Sequence, residues 1–479
     1  MSVDVQKRLQ IPRQPIKKQD PKSRVHNWDE VFLGFDKEFA IVEASRCIQC
    51  PTAPCQEACP VHNDIPGAFA LLEKGDILGA ALVFRETSNL PELCGRLCPQ
   101  EKLCEGECVV AFAIRPGQRE PQPPVAIGKL ESFVTDYQRL VYGLPTPDLP
   151  ASTGKGVAII GAGPAGLAVA EQLALLSHKC VVYDAWPEPG GVLLYGIPNF
   201  KLAKSILDDK LDYLKRLGVE FICNTWIGKD ITIDDLLDKH DFQAVFMGTG
   251  APAGGDLEIP GEKLAGIHQA TEFLVRGNLR PGQLPETMRE PMRVGRRVVI
   301  IGGGDTSMDC VRTAVRLGAQ EVTCVYRRTE NEMQGRKEER SHAQEEGVQF
   351  LYLTVPLRFL GDESGRVQAV QCQRMELGAP DESGRRRPVP VTGSEFLIEA
   401  DTVAIAIGYK ADPLIPRKTI GLKADRNALI EIDRETGRTS RRGVFAGGDN
   451  VNGADLVVTA LADGRRAAVA IDQYLRALE

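Results

Sequence analysis

One supersecondary unit occurs twice in this chain, and it limits what the chain can fold into. Residues 156–185 read GVAIIGAGPAGLAVAEQLALLSHKCVVYDA, and residues 297–328 read RVVIIGGGDTSMDCVRTAVRLGAQEVTCVYRR. Each is an apolar run of strand length, a Gly-rich turn, a helix and a second strand. Such units build parallel sheets through right-handed crossovers. The expected class is therefore α/β, with two Rossmann-like dinucleotide-binding domains.

In the first unit Gly161, Gly163 and Gly166 hold the G-x-G-x-x-G spacing between strand and helix. The first glycine permits the tight turn, the second lets backbone approach a pyrophosphate, and the third lets helix and strand pack closely. The helix N-terminus adds free N–H groups for phosphates. Asp184 ends the second strand, where an acid hydrogen-bonds a ribose hydroxyl. The second unit has Gly302 and Gly304, followed by Asp305 and Thr306, with Ser307 at the third glycine position. Its second strand ends in Arg327 and Arg328. Arginine there accommodates a 2′-phosphate through charge-assisted hydrogen bonds. Arg336 and Lys337 are further candidates for that basic pocket. One acid-ended and one arginine-ended unit suggest two nucleotides, FAD in the first and NADPH in the second.

Eight of the thirteen cysteines fall in two short runs, CIQCPTAPCQEAC at 47–59 and CGRLCPQEKLCEGEC at 94–108. They are Cys47, Cys50, Cys55, Cys59, Cys94, Cys98, Cys104 and Cys108. The start, MSVDVQKRLQ, lacks an apolar signal region, so a cytoplasmic location with reduced thiols is expected, which counts against disulfides. Zinc would take four cysteines per site, but regular C-x2-C knuckles are missing. Pro60 and Pro99 each follow a cysteine, as in bacterial ferredoxin runs. A flavin reduced by hydride also needs a one-electron outlet, which iron–sulfur centres supply. The other five cysteines are scattered and read as small core residues.

The cysteine runs lie among stretches with helical spacing, such as IPGAFALLEKGDILGAALVFRET and AIGKLESFVTDYQRLV, so an all-helical iron–sulfur domain is expected over 1–150. A Pro/Gly-rich linker leads to an FAD-binding domain expected at 151–292 and completed by 409–479. An NADPH-binding domain is expected at 293–408. Net charge −7 argues against a nucleic-acid partner, and no apolar run is long enough for a membrane span. The basic residues within 1–24 read as a solvated tail.

The segments YDAWPEPGGVLLYGIP, VFMGTGAP and GVFAGGDNVNGADLVVTALADGRRAA resemble the flavoprotein disulfide-reductase superfamily. That resemblance implies that Gly190, Gly191 and Gly250 pass close to the flavin nucleotide. It implies that Asp449 binds the ribityl–pyrophosphate part and that the helix start at Val457 faces the flavin ring. No Cys-x-x-Cys redox pair accompanies the nucleotide domains, so thioredoxin-reductase chemistry is not expected. RCIQCPTAPCQEACPVHNDIP, GIPNFKL and AGGDNVNGADLVV extend the likeness. The chain from about Cys47 onward resembles the small (β) subunit of NADPH-dependent glutamate synthases and the N-terminal half of dihydropyrimidine dehydrogenase. The resemblance implies two [4Fe–4S] clusters with interleaved ligands: Cys47, Cys50, Cys55 and Cys108 for one, and Cys59, Cys98, Cys104 and Glu131 for the other. A contiguous division, with Cys94, Cys98, Cys104 and Cys108 together, stays open at this point. It further implies a large (α) subunit carrying FMN as partner. No protein acid or base is expected in the hydride step, because the cofactors carry that chemistry.

Overall fold

The computed structural model describes residues 4–113, 120–380 and 386–478. The first nucleotide unit is a five-stranded parallel sheet ordered Val444–Ala446, Ala244–Met247, Gly156–Ile160, Lys179–Tyr183, Glu220–Ile222. Its central strand, GVAII, is buried throughout, which is why it reads as an unbroken apolar run. The helices Pro164–Leu175 and Val457–Arg476 pack together on it, around Leu167, Leu173, Leu461 and Ile471. Pro164 opens the first helix at a position where its missing N–H costs nothing.

The second unit is another five-stranded parallel sheet, ordered Gln349–Leu351, Glu321–Val325, Arg297–Ile301, Thr402–Ile405, Ile267–Gln269. The last of these strands corrects the expected boundary at 292/293. Ile267–Gln269 pairs with Thr402–Ile405, and Phe273 and Leu274 of the following helix lie in the core of the second unit. Two short strands, Ala253–Gly254 and Tyr409–Lys410, pair where the chain crosses between the units. A three-stranded antiparallel sheet, Thr354–Gly361, Val367–Pro380 and Arg386–Glu399, leans on the second unit through Phe359, Val370 and Cys372.

The N-terminal unit is helical, with Lys37–Ala44, Ile65–Leu72, Ile77–Thr87, Pro91–Leu97 and Ile127–Val141 as its main helices. IPGAFALLEKGDILGAALVFRET breaks into two helices at Gly75, where φ is +84°. Asp64 and Asp76 cap the two halves by accepting from Gly67 N at 3.0 Å and Gly79 N at 2.8 Å. Phe69, Leu72, Phe84 and Leu130 fill the space between. One two-stranded ribbon, Lys17–Lys18 with Phe32–Gly34, is added to the helices.

The basic N-terminal segment is not a solvated tail. Leu9 is buried in the helical core, Arg8 pairs with Glu73 at 2.8 Å, and Arg24 is fully buried against Glu346 at 2.7 Å. Arg13, Lys17 and Lys18 also meet acids elsewhere in the chain, at Glu105, Asp36 and Glu345. Among the described residues, no helix is long and apolar enough to cross a membrane.

Candidate functional site

A single cavity of about 1060 Å³ runs between the two Gly-rich loops and reaches the cysteine-bearing unit. Gly161, Gly163, Asp184, Gly191, Gly250, Asp449 and Val457 line it from the first nucleotide unit. Gly302, Gly304, Asp305, Thr306, Arg327 and Arg328 line it from the second. Leu97, Pro99, Lys102 and Leu103 close it from the helical unit, and these residues flank Cys98 and Cys104 in sequence.

The first loop is shaped by steric necessity. A Cβ on Gly166 would sit 1.9 Å from the Gly161 carbonyl oxygen, so Gly166 lies behind the loop and supports it instead of lining the cavity. A Cβ on Gly163 would meet nothing within 4 Å, leaving backbone open toward the cavity. Gly190 also sits behind the wall, against Leu194 and Leu207. Asp184 has a bracing role that its motif position did not announce. Its two carboxylate oxygens accept from Ala162 N at 2.8 Å and Trp186 N at 2.9 Å, tying loop to strand end. Burial raises its pKa above the usual carboxylate range. Burial also pushes Asp449 up, to about 7, with Asp455 and Asp463 adding like charge. The 20-residue helix Val457–Arg476 begins at the cavity with no side-chain cap, so its first N–H groups and positive dipole end face inward.

The second loop is more open. Arg327 is exposed at its rim, whereas Arg328 is buried and donates through Nε to the Arg386 carbonyl at 2.8 Å. Asp305 accepts from Arg336 N at 3.0 Å. The Arg336 side chain is not part of the basic pocket. It donates to Arg96 O at 2.9 Å and Gln100 Oε1 at 2.7 Å, tying the second unit to the helical one. Lys102 makes the reverse tie, to Gln334 O at 2.7 Å.

The eight cysteines separate into two groups. Cys47, Cys50, Cys55 and Cys108 line one small cavity, walled by Ile65, Phe69, Val110 and Ile127. Cys108 thus stands with the first run and not with Cys94, Cys98 and Cys104. Cys59, Cys98 and Cys104 all lie near the buried Glu131. Asn63 Nδ2 donates to Glu131 Oε1 at 3.0 Å, and Thr87 Oγ1 in turn holds Asn63. Cys94 borders this group but is occupied. It shares a hydrogen bond with Cys98, which holds the Cys94 thiol down and the Cys98 thiol up, and it lies 3.7 Å from Ser88 Oγ.

Both groups fit a cationic iron centre. Burial pushes the Cys47 thiol up to about 11 and Cys55 to about 12, and neighbouring thiols push the same way. Cys59 rises to about 11 for the same leading reason, and burial carries Cys104 and Glu131 well above their ordinary values. Buried sulfurs that repel one another as thiolates are stabilised by a positive centre between them. Among the described residues no three His, Cys, Asp or Glu side chains close round a single ion.

The family models match in the same places. Residues 24–141 match dihydropyrimidine dehydrogenase domain II, 4Fe-4S cluster, and residues 155–464 match the pyridine nucleotide-disulphide oxidoreductases. The small chain of NADPH glutamate synthase from Halomonas elongata is 40% identical over 471 residues, covering 98% of this chain and 97% of that one. This chain belongs to the glutamate synthase small-chain family. It is an oxidoreductase in which a 4Fe–4S domain precedes a pyridine-nucleotide domain. Within reach of the family stands the putative oxidoreductase AegA of Escherichia coli, 42% identical over 95% of this chain and 68% of that one. Among solved structures, FprA of Mycobacterium tuberculosis in complex with NADPH shares the fold. Its TM-score is 0.55 at 22% identity, covering 67% of this chain and 85% of that one.

The loop residues that line the cavity lie within the glycine motifs themselves, whereas the wall between the first unit and the cysteines has no such motif. Leu97, Pro99, Lys102 and Leu103 carried a signal only through their neighbours Cys98 and Cys104. The Lys201–Asp309 pair, 2.8 Å long and buried at the cavity between the nucleotide units, was also missed. Lys201 lies in the GIPNFKL segment, and Asp309 lies one turn past Asp305. Burial pushes Asp309 up to about 6 despite this partner.

Proposed function

We propose that this chain is the NADPH-oxidising small subunit of a glutamate synthase. It would deliver electrons through FAD and two [4Fe–4S] clusters to a large FMN-carrying subunit, in the cytoplasm. That subunit would form L-glutamate from glutamine and 2-oxoglutarate. The observation that carries this reading is the continuity of one cavity from the arginine-ended loop, past the acid-ended loop, to the residues beside Cys98 and Cys104. When bound, NADPH supplies a hydride, FAD accepts it, and the clusters accept electrons singly.

The chain's own residues hold and orient. Gly161, Gly163, Gly191, Gly250, Asp449 and the helix start at Val457 would hold FAD, with Asp184 stiffening the loop. The inward N–H groups of the Val457–Arg476 helix favour negative charge at that end. Gly302, Gly304, Asp305 and Thr306 would cradle the NADPH pyrophosphate, and Arg327 with Arg328 would meet its 2′-phosphate. Cys59, Cys98, Cys104 and Glu131 would hold the cluster nearer the cavity. Cys47, Cys50, Cys55 and Cys108 would hold the other. Leu97, Pro99 and Leu103 would present apolar side chains to the cavity beside Cys98.

The likeness to AegA favours a second reading, an NADPH oxidoreductase with the same internal order and a different electron acceptor. Affinity purification of the tagged full-length chain from its own cells separates the two. The first reading expects a large flavoprotein subunit in stoichiometric amount, and glutamine-dependent NADPH oxidation by the complex. Capture of the chain without such a subunit, and NADPH oxidation indifferent to glutamine and 2-oxoglutarate, would favour the second.

A further inference from the structure

The chain crosses between the nucleotide units at two short strands, Ala253–Gly254 and Tyr409–Lys410. The buried Lys201–Asp309 pair and the helix Ala270–Asn278, with Val275 in the first core and Phe273 in the second, also join them. Crossing strands alone would absorb rotation readily. Hydride transfer between ligands on separate units is sensitive to displacements of about 1 Å. The angle between the units is therefore set by contacts beyond the crossing strands.

Residues 4–34 cross all three units. At one end Arg8 donates to Cys47 O at 2.6 Å and pairs with Glu73 at 2.8 Å in the helical unit. Further on, Arg24 enters the second nucleotide unit with its side chain fully buried. It meets Glu346 at 2.7 Å and Glu345 at 2.8 Å, and donates to His342 O at 3.2 Å. The chain then turns to the first nucleotide unit. Trp28 O accepts from Asn199 at 2.8 Å, Trp28 stands 6.1 Å from the Phe200 ring, and Val31 N donates to Phe200 O at 3.1 Å. Phe200 in turn lies under the guanidinium groups of Arg312 and Arg316, at 4.4 and 4.1 Å, which belong to the second unit. Arg316 Nε donates back to Asn27 O at 3.1 Å.

We propose that residues 4–34 form a strap that sets the second nucleotide unit at the angle hydride transfer requires, with Arg24 as its positioning residue. This rests on the NADPH-to-flavin reading above. Arg24 is not needed to neutralise Glu346, which already has Arg312 at 2.9 Å and Arg316 at 2.7 Å within its own unit. What Arg24 adds is a connection between units, made by burying a third guanidinium at the cost of its hydration. The polar partners of Arg24, namely Glu345, Glu346 and the His342 carbonyl, lie outside the cavity lining, so its effect on chemistry passes through geometry.

The test uses the full-length, cofactor-loaded protein. Dyes on noncanonical residues at the exposed positions Asp212 and Glu363 report the distance between the nucleotide units by energy transfer. Anaerobic stopped flow reports flavin reduction by NADPH. For Arg24→Ala, the distance distribution should broaden and flavin reduction at saturating NADPH should slow at least tenfold. The apparent Kd for NADPH should change less than twofold, and Arg24→Lys should restore part of the rate. Glu345→Gln, which leaves the Arg24–Glu346 pair intact, should move both readouts two- to threefold in the same direction, and it decides the matter if Arg24→Ala is insoluble. A soluble variant with wild-type distances and wild-type rate would overturn the strap. Wild-type flavin that NADPH fails to reduce would overturn the functional reading instead, while the distance distributions would still test the strap.

Discussion

The two nucleotide units share a strand, a glycine loop and a helix, yet the chain treats them differently. In the first, the helix Pro164–Leu175 is almost wholly apolar and buried, and the loop is braced by Asp184. In the second, the matching helix Asp305–Arg316 carries Asp309, Arg312 and Arg316 into ion pairs with other elements. The first loop is built into a core, whereas the second is built into an interface. A ligand that stays suits the first and one that comes and goes suits the second.

The largest expected effect breaks the first unit. Gly166→Val would thrust a side chain to within 1.9 Å of the Gly161 carbonyl. Flavin content of the purified chain should fall to background, read from the visible spectrum, with the loss of soluble protein as the only other form the damage takes. Flavin retained at wild-type stoichiometry would mean that the loop is not shaped by this contact.

Acid should act on the second unit through His342. Burial lowers the pKa of His342 from its ordinary 6.5 to about 4. The folded protein therefore binds this proton less readily than the unfolded chain. The stability His342 confers is complete above pH 6.5 and is lost as pH falls toward 4, by about 3 kcal/mol at the limit. His342→Gln should flatten the denaturation midpoint between pH 6.5 and 4 relative to wild type. An unchanged acid slope would place the sensitivity elsewhere.

A smaller effect sharpens the ligand distinction. Replacing Arg327 and Arg328 together by Ala should raise the KM for NADPH by about 10- to 100-fold, or about 1.4–2.8 kcal/mol. The kcat should hold, because the phosphate is remote from the hydride. The KM for NADH should move little, so the ratio of kcat/KM values reads the change directly. The smallest effect returns to the first unit. Asp184→Asn keeps one acceptor and turns an amide N–H toward a backbone N–H, costing about 1 kcal/mol. It should lower the temperature of flavin release by a few degrees without altering NADPH preference.

What could be read from sequence was local. The glycine loops declare themselves because their constraint is steric and lies within a dozen residues. The acid and arginine strand ends follow at fixed spacing for the same reason. Arg24 and Glu346 lie 322 residues apart, and nothing near either announces the other. The basic N-terminus therefore read as a tail, although its partners are acids of distant helices. The boundary at 292/293 failed because Ile267–Gln269 joins its sheet at the edge, through hydrogen bonds to Thr402–Ile405 that no local pattern encodes. Cys108 illustrates a third case. Its sequence neighbours suggested one group, and the fold returns it to Cys47, Cys50 and Cys55.

Anaerobic titration of the purified full-length chain tests the central claim most directly, with iron, acid-labile sulfide and flavin measured on the same sample. The account predicts a coloured protein with FAD and iron–sulfur stoichiometry near two cubanes, whose flavin band bleaches with NADPH at concentrations where NADH has little effect. A colourless preparation, or a flavin reduced equally well by both nucleotides, would contradict it.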